Sequence, residues 1–125
     1  MPINTTNDAV EFRIHGVTFH SFVRTATGAH QLGAWQAEFA PHTPGVPHRM
    51  SVEEVFRVLS GRLIIAVDDE HAEVSAGGVV TVPAGSRFQV SNETDEPASA
   101  WIVTPLGMRF VVEGDTSAVS PPWAQ

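Results

Sequence analysis

The sequence predicts an all-β fold made of many short strands: a sandwich, a jelly roll or a closed barrel. Three observations carry that expectation. Short β-branched and aromatic runs recur between Gly, Pro, Asn and Asp signals, and helical apolar spacing is hard to find. The 125 residues suit one hydrophobic core that needs no disulfide or metal staple. An open sheet of so many strands would also leave long unprotected edges, which closure or double-sheet packing removes.

Taken from the N-terminus, residues 10–15 and 17–23 are apolar, β-prone runs, followed by a third strand at 33–39. Strands 55–59 and 62–67 flank Ser60-Gly61, a tight hairpin signal, and Asp68-Asp69-Glu70 marks a second turn before the 72–74 segment. Gly77-Gly78 and Pro83-Ala84-Gly85 bracket the strand 79–82, so turn, strand and turn are fixed in register. Strand 87–90, a polar loop at 91–97, and strands 100–104 and 108–112 complete the pattern. One domain is expected over 1–125, with its barrel core at about 33–112, N-terminal strands within 10–23 and a tail at 113–125.

Composition narrows the chemistry. The formal charge is −7 and there is no basic run, so a phosphate backbone or an anionic membrane would be repelled, and neither nucleic acid nor membrane is an expected partner. The chain contains no Cys, no Tyr and no Lys, which removes thiolate nucleophiles, thiolate zinc sites, lysine Schiff bases and phenolic acids. The polar start lacks a charged n-region and an apolar h-region, so a cytoplasmic location is the default expectation.

Two segments stand out. The run from Pro41 to His48 holds three prolines and a glycine, a stiff loop able to fix His48 in one place. It opens a first spaced set, in which His48 is followed by Met50, Glu54 and Gly61. The second set is Gly77, Pro83, Gly85, Phe88 and Asn92. In this spacing the chain resembles the cupins, whose two motifs run His-x-His, Glu, Gly and then Gly, Pro-x-Gly, His, Asn. The resemblance covers residues 48–92 and implies a small double-stranded β-helix, the cupin jelly-roll barrel. In metal-dependent cupins two histidines and the glutamate of the first motif converge on one ion with the histidine of the second. Here Met50 and Phe88 replace two of those ligands, leaving His48 and Glu54. Zinc and iron sites ordinarily take at least three protein ligands, so no cofactor is expected. Were a divalent metal present, its ligands would be His48 and Glu54, joined by Met50 or His42.

Alternation along each strand puts residues 48, 50, 54 and 88 inside the barrel. Glu54 beside His48, walled by Met50, Phe56 and Phe88, is an ionisable pair in an apolar cavity that Val90 and Trp101 also line. Trp35 is a further candidate, its facing left open with that of Trp101. His48 and Glu54 are the candidate catalytic residues for proton transfer in an isomerase, cyclase or epimerase reaction on a small organic molecule. The alternatives are a ligand-binding or sensory barrel without chemistry, and a metal cupin of oxygenase type with an unusual ligand set. His15, His20, His30 and His71 show no partner pattern and are read as surface or satisfied core groups. The tail 120–125, rich in proline and ending near Trp123, is expected to pack on the protein as a lid or strap. The resemblance also implies a homodimer formed through the N-terminal strands.

Overall fold

A computed structural model describes residues 3–125. Its eleven strands, in chain order, are β1 (Val10–Ile14), β2 (Val17–Val23), β3 (Leu32–Phe39), β4 (His48–Met50), β5 (Glu54–Ser60), β6 (Arg62–Val67), β7 (Glu70–Ser75), β8 (Val79–Val82), β9 (Arg87–Ser91), β10 (Ala98–Pro105) and β11 (Phe110–Val112). They form two antiparallel sheets, one ordered β1-β2-β3-β10-β5-β8 and the other β11-β4-β9-β6-β7. This is the expected jelly roll. Burial alternates along β5 and β10, so Phe56 and Val58 face inward with Ala100 and Ile102, while Val55 and Arg57 face outward.

The motif glycines and Asn92 shape the corners. Ser60-Gly61 is a turn, as expected, but not a hairpin, because β5 and β6 belong to different sheets. Gly61 is a corner between them, with φ +73, and a Cβ there would lie 2.7 Å from the Pro97 carbonyl oxygen. Only glycine combines that backbone with that approach. The hairpin lies one turn later, where Val67 pairs with Glu70 around Asp68-Asp69. Asn92 is fully buried and cross-links three segments: its side-chain amide donates to the carbonyls of Phe39, Ala40 and Glu96, and its oxygen accepts from the Thr94 amide and hydroxyl. The 91–97 loop is therefore anchored from beneath.

Strand β1 stops at Ile14, one residue short of the expected end. His15 and Gly16 take φ of 52° and 78° and close a two-residue hairpin onto β2, in which Ile14 pairs with Val17. Positive φ at both turn positions matches the right-handed twist of the flanking strands. The tail returns to the first sheet and ends in a 3-10 turn at Pro122–Ala124. Trp123 stacks on Phe19 with ring centroids 4.1 Å apart and planes 4° from parallel. The Ser21 hydroxyl donates to the Trp123 carbonyl, the Gly107 amide to that of Ala124, and the Gln125 side chain to that of Met108. The expected strap is present.

Candidate functional site

Between the sheets lies a cavity of about 330 Å³ whose walls are mostly apolar. Val58, Leu63 and Ile65 are buried outside its lining and pack as solid core. The first sheet contributes Phe19, Trp35, Phe56 and Ile102, and the second contributes His48, Phe88 and Val90. Phe56 and Phe88 meet edge to face at 5.7 Å, linking the two walls.

The proline-rich loop delivers His48 to the start of β4, opposite Phe88 on β9. Its Nδ1 lies 2.8 Å from the Val46 carbonyl oxygen. A carbonyl only accepts, so Nδ1 carries the proton and Nε2 keeps its lone pair. The ring stands edge-on to Phe88 and Phe110 at 5.6 and 5.7 Å. Burial among these rings lowers the His48 pKa below 6.5, with the hydrogen bond to Val46 acting in the opposite direction. The imidazole is neutral at pH 7.

Glu54 opens β5 opposite Val82, and only 5% of it is exposed. Among the described residues its carboxyl has no hydrogen-bond partner and no ion pair. Desolvation alone raises its pKa to about 8, so at neutral pH it is an uncharged acid. The expected His48–Glu54 pair is thus corrected: both groups face one cavity, but His48 spends its polar contact on Val46 rather than on Glu54.

Phe56, Phe88 and Val90 line the cavity as expected. Met50 does not. It is buried in the core outside the lining, and its carbonyl instead accepts from the Gly85 amide, fixing the second motif's turn to β4. Trp101 lies on the outer face of the first sheet, paired in register with Arg57 and packed 5.7 Å from Phe22. Ile102, one residue on, takes the inward position, and Trp35 is the tryptophan of β3 that lines the cavity. His42 is exposed at φ 57°, bonded to Asp95 at 2.5 Å and absent from the cavity lining. Neither Met50 nor His42 can complete a ligand set with His48 and Glu54. Among the described residues no three His, Cys, Asp or Glu side chains come together as a metal-ligand group. His48 and an uncharged Glu54, with His15 lining the same cavity but not grouped with them, do not fit a resident divalent ion.

Among the lining residues that the sequence did not place in the cavity are His15 from the β1–β2 turn, Phe19 from β2 and Trp123 from the tail. The His15-Gly16 turn chemistry could have placed His15 off the strand, but nothing local directs Phe19 or Trp123 inward. None of the seven arginines lines the cavity. Arg87 instead holds Glu113 through two hydrogen bonds of 2.7 and 3.1 Å, and Arg49 donates to the Gly85 carbonyl.

Two facing antiparallel sheets around a small apolar chamber define a jelly-roll barrel. A family model described as Cupin domain matches residues 35–104, more than half of the chain, and the chain belongs to that family. No curated protein matches its sequence. Among solved structures, it is similar to the polyketide cyclase RemF from Streptomyces resistomycificus, with a TM-score of 0.74 at 21% identity over 84% of this chain and 79% of that one. A cupin-superfamily sugar phosphate isomerase from Silicibacter pomeroyi gives 0.68 at 21% identity, over 82% and 69% of the two chains. Salicylate 1,2-dioxygenase from Pseudaminobacter salicylatoxidans gives 0.69 at 18% identity, this chain covering 31% of its length. At such identities the likeness is one of fold. No helix among the described residues is long and apolar enough to cross a membrane.

Proposed function

We propose that this cupin binds a small organic molecule in its cavity and moves protons on it without a metal, as an isomerase, cyclase or epimerase does. The observation that carries the reading is a neutral base and a neutral acid facing one apolar chamber: the free Nε2 of His48 and the protonated carboxyl of Glu54. Environments that push two titratable groups in opposite directions assign base and acid between them. In the forward step His48 Nε2 takes a proton from carbon next to a substrate carbonyl, and Glu54 gives its proton to the carbonyl oxygen. The C–H electron pair becomes the enol double bond, and the product is an enol between imidazolium and carboxylate. Proton return at another carbon isomerises the substrate, return at the opposite face inverts it, and attack of the enol carbon on a second carbonyl closes a ring. The polyketide cyclase on the same fold supports a ring-closing version.

The test is deuterium uptake by β-tetralone, a neutral ketone with acidic α-hydrogens, followed by NMR in deuterium oxide. The protein should accelerate exchange, His48→Ala should abolish the acceleration, and Glu54→Gln should weaken it and remove the decline expected above about pH 8, where Glu54 ionises. Exchange no faster than in buffer, with the ketone demonstrably bound, would leave the non-catalytic ligand-binding barrel. The molecule is proposed to act as a homodimer through its N-terminal strands, supported by exposed Val10 and Ile14 on β1 at the edge of the first sheet. Sedimentation should give about twice the 13.4 kDa chain mass.

A further inference from the structure

The cavity has two unlike ends. Glu54 lies on β5 and Phe19 on β2, with β10 and β3 between them. Three strand spacings separate the two, about 14 Å measured along the sheet. His48 lines the same cavity from the opposite sheet, and His15, on the β1–β2 turn, is its other imidazole. At the Phe19 end two aromatic rings line the cavity, Trp123 lying flat on Phe19, and Phe12 tilts against the same indole at 6.1 Å from outside the lining. A volume of about 330 Å³ is at the small end for ligand pockets, which run from about 300 to 1,000 Å³. There is no lysine in the chain and no arginine in the lining, so an anionic group brought inside would meet a carboxyl and no fixed cation.

We propose that the ligand is an uncharged, elongated, unsaturated molecule with one polar end, held with a carbonyl or hydroxyl between Glu54 and His48 and its apolar end against Trp123. Phosphorylated sugars and carboxylates would bind more weakly, because the lining offers them no lysine or arginine. Trp123 is then a specificity residue, because the tail that carries it is fixed to Ser21 on β2 and to Gly107 and Met108 beyond β10, and cannot swing clear without breaking those bonds. A molecule too short to reach from Glu54 to the indole forgoes that contact.

This inference rests on the proposed binding of a small molecule in the cavity, and the experiment separates the two. Methyl naphthyl ketone, naphthoate and acetophenone are titrated into the protein at pH 7 by isothermal calorimetry. The ketone should bind tighter than the isosteric carboxylate by on the order of tenfold or more, the cost of placing an unpaired anion in an apolar site. Trp123→Leu should weaken methyl naphthyl ketone by about tenfold and leave the shorter acetophenone unchanged. Trp123→Phe, which keeps a ring against Phe19, serves as the second variant and should show the same selectivity in smaller measure. Naphthoate binding as tightly as the ketone would overturn the proposal, as would equal losses for the long and short ketones. Failure of all three molecules to bind would overturn the proposed function as well.

Discussion

Replacing Glu54 by Gln keeps the shape of the side chain and removes the only carboxyl in the cavity lining. An ordinary glutamate titrates at 4.5 and Glu54 at about 8, so between those values the folded chain holds a proton that the unfolded chain has lost. The contribution of this group to stability is therefore complete below pH 4.5 and is lost as pH rises towards 8. At about 1.4 kcal/mol per pH unit the whole window has a ceiling of about 5 kcal/mol. His48 acts in the other sense. Its pKa is lowered from 6.5, so its contribution is present above 6.5 and lost as pH falls through the lowered value. From pH 6.5 to 8 the cavity's response is thus that of Glu54, and the wild type should lose about 2 kcal/mol across it. Urea denaturation at intervals over that range reads the loss directly. The Glu54→Gln protein should have a flatter profile by the same amount, whatever constant offset the buried amide adds. Parallel profiles for the two proteins would show that the Glu54 carboxyl is ionised in the folded state, and its role as an acid would fall with the prediction.

Asn92→Leu should lower stability by about 3 kcal/mol, because three carbonyls lose a buried donor; an unchanged urea midpoint would contradict the anchoring role given to this side chain. Gly61→Ala should cost about 2 kcal/mol or more and Gly85→Ala less, since both have positive φ but only the first would bring a Cβ against backbone. The two melting temperatures give the order, and its reversal would refute the corner argument. Deletion of residues 121–125 should cost about 3 to 5 kcal/mol, typical of losing a buried tryptophan, and calorimetry of the truncated chain checks it.

Much of the fold was legible because its corners depend on residues with narrow conformational roles. Gly61, Gly77 and Gly85 all take positive φ, and Asn92 is the buried cross-link, so the motif spacing carried real geometric content. The inward facing of Glu54, Phe56 and Phe88 followed from period-two alternation. Trp101 escaped the same logic, since a single step of register separates it from inward Ile102, and each faces a different medium. Met50 was correctly placed inside, but alternation does not distinguish solid core from cavity wall. The absence of a bond between His48 and Glu54 was out of reach, because the competing acceptor is a backbone carbonyl two residues before the histidine. Ser60-Gly61 announced a turn without revealing that the chain changes sheets there.

The stack of Phe19 on Trp123 joins segments from opposite ends of the sequence, and the Ser21 bond to the Trp123 carbonyl spans 102 positions. A wall of the chamber therefore exists only while the second strand and the tail are docked together, so occupancy and the closure of the two ends are thermodynamically coupled. A molecule seated against the indole would hold both segments at once, and their backbone amides should gain protection from hydrogen exchange together.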